Sequence, residues 1–503
     1  MDFKNYKGPG FIIEEHGDPR KMSRRELLGQ GFISGSGMIL APSLISTLMA
    51  KQAYACGDVE QTTGDVPVMI MDLKGGGNLV GPNIVPGTEG GPDDPVGDLG
   101  KLGISGSIVP VKKFGLTWHQ ESMILRGLDA AIPADAKDKV KGIVFASKSL
   151  DDNDTNLINP AHALLKAGLS GRLVPFVGGA GNREGTSKSK LPPSSVVDGV
   201  TPVVMTKSED ARSLVKKHAL AEQLSPEALD KILKAAAGMS ESALCEFNKK
   251  SLTEQLQAVC GCKHEKSLSV MTEFSEANIT PSLDENIRTI FGGKGDGENG
   301  KIATYAKLLA NNYAGVGIIE QGGFDYHNGT RSLGDAKDLM LGDQIGSMIA
   351  YAHAIKKPIA IVVITDGAVV SNGASEAGYN GNLQSELNKP NHNRGDLIPL
   401  IQNEQIGSKL AWRSDASGVR GAAVMFVYHP NGVKQVRSSQ VGAFEDSGIV
   451  KQVNAISGNL QNLVAAITAN WLALKGQQGD IKKIMTEDIS KSLDEYIVFD
   501  KVT

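Results

Sequence analysis

The stretch AGVGIIEQGGFDYHNG, residues 314 to 329, decides how this chain is read. Its first seven residues run apolar up to Glu320, without the polar alternation of a strand that has one wet face, so they predict a strand buried on both sides. Two glycines then release the chain into a loop that carries Asp325 and His327. A carboxylate and an imidazole two positions apart are donors of the kind a divalent metal takes.

Five more runs repeat the pattern: VPVMIMDL (66–73), KGIVFAS (141–147), GRLVPFVG (171–178), PIAIVVIT (358–365) and AAVMFVY (422–428). Between several of them lie helical patterns, namely NPAHALLKAGL, KIATYAKLLANNY and LMLGDQIGSMIAYAHAIKK. Apolar strands alternating with helices predict an α/β fold with a largely parallel central sheet and helices on both faces. Functional groups in such folds gather at the carboxyl ends of the strands. Asp72, Asp325 and Asp366 all stand at or just past such ends, and with His327 they are the candidate metal ligands.

The 503 residues, 41% of them hydrophobic, suffice for one large α/β core with an insertion. The 59 glycines fall in clusters such as GGGN and GTEGGPDD with no internal period, which predicts long irregular loops rather than a repeat. From residue 206 to 291 the texture becomes charged, alanine- and leucine-rich and amphipathic at helical spacing. This stretch predicts a helical insertion that splits the core into residues 56–205 and 292–503.

Two shorter motifs read as local structure. Gly295 to Lys301 matches a phosphate-binding loop until Ile302, where a hydroxyl is required, and is expected to be a flexible loop before a helix. Asp151 to Asn156 begins like a calcium loop but lacks its glycine and closing glutamate, so a capped turn is expected.

The first 55 residues read as an address. A polar start leads to Arg24-Arg25, a weakly apolar, glycine-interrupted run and Ala53-Tyr54-Ala55 ahead of Cys56. Paired arginines, weak hydrophobicity and a small-residue cleavage site resemble a twin-arginine signal peptide. The expected partner is therefore the export machinery, and the expected destination is the periplasm or cell surface of a bacterium. Cys56 stands where a lipid could be attached, but Ala53 is not the leucine such a site prefers, so lipidation is the lesser expectation. Removing seven basic and five acidic residues from totals of 52 and 56 leaves a net charge of −6, with no basic run suited to nucleic acid.

Of the four cysteines, Cys245 paired with Cys260 or Cys262 is the expectation for an oxidising compartment, worth roughly 3 kcal/mol in the chain-entropy model. Cys260-Gly261-Cys262 with His264 is the alternative, as a metal-binding pair.

Taken in order, the twin-arginine start, LKGGGN (73–78), IIEQGGFDYHNG (318–329), the long helix after it, PIAIVVITDGAVVSNG (358–373) and SDASGVRGAAVMFVYHPNGV (414–433) resemble an exported bacterial family. That family is called domain of unknown function 1501 and is related to the alkaline phosphatase and sulfatase superfamily. The resemblance spans most of residues 66 to 450. It implies an alkaline-phosphatase-like sandwich with two metal positions for zinc, manganese or calcium, Asp325 and His327 serving one of them. It also exposes departures: Gly367 follows Asp366 where the superfamily has a ligand histidine, Asn78 stands where the family has an aspartate, and Ala416 stands at a further histidine position. Asp72 is the substitute for the missing aspartate, and His392 and His429 are the later histidines available as replacements. The resulting expectation is an exported, non-catalytic protein with a degenerate site, binding a small ligand or an envelope partner. The alternative is a metal-dependent hydrolase of phosphate or sulfate esters.

Overall fold

The computed structural model describes residues 65–97, 100, 102–104, 109–148, 159–179, 200–214, 279–292, 297–324, 331–365, 367–376, 409–415, 422–484 and 488–502. Arg24, Arg25, the four cysteines, His264, Asp325, His327, Asp366 and His392 lie outside the described residues, as do positions 151–156 and 215–278. Every described residue belongs to one compact unit of the chain.

Eight strands form the central sheet: β1 (Val68–Leu73), β2 (Val140–Ala146), β3 (Val174–Gly178), β4 (Val203–Val204), β5 (Ala314–Gln321), β6 (Ile359–Thr365), β7 (Ala422–Tyr428) and β8 (Gln440–Val441). Their order is β8-β2-β7-β6-β1-β5-β3-β4. All six apolar runs of the sequence are strands of this sheet. Seven of the eight strands run parallel to one another, and β7 alone runs the other way, antiparallel to both β6 and β2. The two short strands at the edges escaped the sequence pattern because two residues carry no period.

Helices cover both faces. On one face Val68 and Ile70 of β1, Val316 and Ile318 of β5, and Val362 of β6 pack with α2 (Ala161–Lys166) and with α6 (Leu460–Ala473). Residues 462–473 of α6 are buried all round, as an apolar helix must be when the core surrounds it. Its N-cap Asn459 accepts hydrogen bonds from the Gln461 and Asn462 amides at 2.9 and 3.2 Å. Buried Asn470 faces the C-terminal segment: its Nδ2 donates to the Tyr496 carbonyl at 2.7 Å, and its Oδ1 accepts from the Val498 amide at 2.9 Å.

The opposite face carries α4 (Gly297–Ala310) and α5 (Arg331–Ala354). Gly317 of β5 lies against Leu309 and Tyr305 of α4. In turn, α1 (Met123–Ala131) packs on α5 so closely that a Cβ at Gly342 would fall 2.1 Å from the Ile124 carbonyl oxygen. Only glycine permits that approach.

Helix α4 starts at Gly297, so residues 297–301 are helical rather than the expected loop. Thr304 Oγ1 donates back to the Gly300 carbonyl at 2.7 Å, tying the added turn to the rest of the helix. A phosphate-cradling loop is therefore not formed by these residues. Both ends of the stretch expected to be an insertion join the core. Ser208–Leu214 contacts α4, and α3 (Glu285–Phe291), capped by Asp284, packs on α4 and α5. Among the described residues no helix is long and apolar enough to cross a membrane.

Candidate functional site

Strands β6, β1 and β5 are neighbours, and their carboxyl ends align. Asp72 is the register partner of Ile364 on one side and of Glu320 on the other, and Leu73 partners Thr365 and Gln321. Asp366 follows Thr365 directly and Asp325 comes four positions after Gln321. The topology therefore delivers the chain on both sides of those residues to the edge that holds Asp72, although Asp325, His327 and Asp366 themselves lie outside the described residues.

The loops at this edge interlock. The Lys74 amide donates to the Gln321 carbonyl at 2.9 Å and the Phe324 amide donates to the Lys74 carbonyl at 3.2 Å, so the β1–β5 ladder continues past the strands. Gly75 and Gly76 then take φ of 104° and 96°, a region that glycine enters without steric cost. At Gly76 a Cβ would also lie 3.1 Å from the Ala368 nitrogen, which brings the loop after β1 onto the backbone that follows β6. The LKGGGN motif thus has a conformational reason. Behind the edge, Thr365 Oγ1 donates to the Gly367 carbonyl at 3.0 Å, and Gln321 Nε2 donates to Gln344 Oε1 of α5 at 2.5 Å. Lys337 Nζ of α5 donates to the Gly322 carbonyl at 3.4 Å.

Asp72 is fully buried. It continues the face of Val68 and Ile70, as alternation along a strand requires, and half-buried Glu320 continues the same face of β5 beyond Val316 and Ile318. Two carboxylates thus occupy neighbouring positions on one face at adjacent strand ends. Glu320 was visible as the end of an apolar run, but its place beside Asp72 follows only from strand order.

Further polar groups line the α5 side. Asn83 donates to Asp338 Oδ2 at 2.6 Å and to the Asn78 carbonyl at 2.9 Å, while its own Oδ1 accepts from Ser122 Oγ at 2.9 Å and the Ile124 amide at 3.1 Å. This network fixes the loop after β1 against α1 and α5. Arg331, the first residue of α5, is buried, with a guanidinium nitrogen donating to the Gly103 carbonyl and Nε 3.8 Å from Asp335.

The structure removes one candidate. Because β7 is antiparallel, Tyr428 pairs with Ile359 at the amino end of β6, and His429 follows it at the edge opposite Asp72. His429 cannot replace a ligand histidine at the carboxyl edge. Asp415 is better placed in the backbone, as the register partner of Val369 four positions past Thr365. Asn78 is buried, with its carbonyl engaged by Asn83, and Thr88 belongs to a small hairpin where its hydroxyl bonds Asp94.

A catalytic metal takes about three protein ligands and keeps one open position. Carboxylates suit hard divalent ions, but among the described residues no group of three histidine, cysteine, aspartate or glutamate side chains stands together. Asp72 and Glu320 alone do not complete a centre. No family model matches this chain, and neither a curated protein nor a solved structure matches it.

Proposed function

We propose that this chain is an exported, alkaline-phosphatase-like protein of the bacterial envelope or surface, of the domain of unknown function 1501 type. In this reading the carboxyl edge of β6, β1 and β5 binds a small ligand or an envelope partner and no longer catalyses a reaction. The observation that carries it is that Asn78, buried in the loop after β1, and Gly367, just past the end of β6, stand at this edge where the resemblance implies an aspartate and a ligand histidine. A neutral amide and a bare hydrogen do not supply the carboxylate and imidazole donors that a divalent metal takes. Ala416, where the family has a further histidine, supports the same reading. Arg24-Arg25 addresses the chain to the twin-arginine export machinery, with lipid at Cys56 as the lesser alternative.

The second reading is a metal-dependent hydrolase of phosphate or sulfate esters, favoured by the side-by-side placement of Asp72 and Glu320. In that case Asp325, His327 and Asp366 would complete the ligand set. A bound zinc, manganese or calcium ion would supply a Lewis acid for ester cleavage.

The test is elemental analysis of residues 56–503, purified folded without chelators, together with ester hydrolysis, for the wild type and Asp325→Ala. The proposal expects no turnover, and a folded variant whose melting temperature changes little. Turnover together with near-stoichiometric metal, both lost in Asp325→Ala, would replace it with the hydrolase reading.

A further inference from the structure

His429, Pro430, Asn431 and Gly432 close a tight turn immediately after β7. The Gly432 amide donates to the His429 carbonyl at 2.8 Å, the bond that defines a β-turn. Pro430 occupies the second position, where its fixed φ is suited to a turn. Asn431 is not among the residues with positive φ, so the turn is of type I, whose third residue keeps ψ near about 0°. The Asn431 amide donates to His429 Nδ1 at 3.2 Å. Burial holds the His429 imidazole below its usual pKa, which keeps that nitrogen an acceptor at neutral pH.

Asn431 is exposed and Gly432 has φ of 85°, with no heavy atom within 4 Å of where a Cβ would stand. Asparagine followed by glycine is the pair in which the next backbone nitrogen reaches the side-chain amide most easily, because no Cβ hinders it. The Gly432 nitrogen bonds to Asn431 Cγ and the Cγ–Nδ2 bond breaks. Ammonia leaves carrying the proton that was on the Gly432 nitrogen, and a cyclic imide remains. Water then opens the imide to aspartate or isoaspartate. The attack requires the Gly432 nitrogen to be released from the His429 carbonyl and turned toward Cγ, and the closed turn prevents both.

We propose that Asn431 is a latent deamidation site and that the His429–Gly432 turn is its brake, so that conversion proceeds only through the opened turn. The inference is independent of the function proposed above.

The experiment incubates the full chain at mildly alkaline pH and maps isoaspartate at position 431 over time, in the native protein, in Pro430→Ala and in urea. The unfolded chain should convert at least about tenfold faster than the native one, with Pro430→Ala between them. Equal rates in the native and unfolded chains would overturn the proposal. Hydrogen exchange at the Gly432 amide of the wild type gives a second reading that needs no variant: protection supports the brake, and exchange at the rate of an unstructured peptide refutes it.

Discussion

Lys307 Nζ stands 2.8 Å from Asp284 Oδ2, with 6% and 15% of the two side chains exposed. The same oxygen accepts from the Tyr351 hydroxyl at 2.9 Å, while Oδ1 accepts the Asn286 and Ile287 amides as the N-cap of α3. One carboxylate therefore joins α3, α4 and α5 where the chain returns from residues 215–278. Removing one member of a buried pair strands the other charge. Asp284→Ala is expected to cost about 3 kcal/mol in urea unfolding, and Lys307→Met in the same chain should recover part of it. A loss below about 0.5 kcal/mol would mean the pair is solvated in solution.

The same carboxylate should appear in the pH dependence. Burial pushes the Asp284 carboxyl up, but hydrogen bonds from Lys307 and Tyr351, the Lys307 charge and the Ile287 amide together hold it below the usual carboxylate range. A folded value below the unfolded one means the stabilisation is fully present above the unfolded pKa, about 3.9. It is lost as the pH falls from there through the folded value. Wild type should therefore lose stability more steeply on acidification than Asp284→Asn, and parallel curves from thermal melts would contradict this.

At the candidate site, Gly76→Ala places a Cβ 3.1 Å from the Ala368 nitrogen on a backbone with φ of 96°. The strain is expected to cost about 2 kcal/mol. Because the two loops share this contact, amide signals of residues 367–368 should shift with it. A variant with wild-type stability would show that the loops do not interlock.

In the core, Asn470→Ala leaves the Val498 amide without its acceptor and the Tyr496 carbonyl without its donor inside an apolar cluster. A loss of about 2 to 3 kcal/mol is expected. Proteolysis of the variant should begin in the C-terminal segment. Uniform resistance along the chain would argue that Asn470 contributes packing alone.

Much of the fold was legible because burial on both faces of a parallel sheet leaves a long apolar run. The runs at 68–73, 140–146, 174–178, 314–321, 359–365 and 422–428 are strands close to where the pattern put them. Direction was not legible: AAVMFVY and PIAIVVIT are equally apolar, since a central strand is covered on both faces whichever way it runs. Helix starts were also blurred, because glycine and polar residues at 297–300 and 331–338 mask the helical period that packing enforces.

Of the site, sequence alone determined that Asp72 closes an apolar run, that Asp325 and Asp366 follow two others along the chain, and that glycines follow β1. Side-chain type and apolar length are local properties, and local properties are written in order along the chain. Only the tertiary structure decided that β1 lies between β5 and β6, so that Asp72 has Glu320 beside it. It also decided that β7 turns back, carrying His429 to the opposite edge. Strand order and direction are set by how helices and loops from distant parts of the chain pack on the sheet, and that competition among long-range contacts leaves no periodic trace in any single segment.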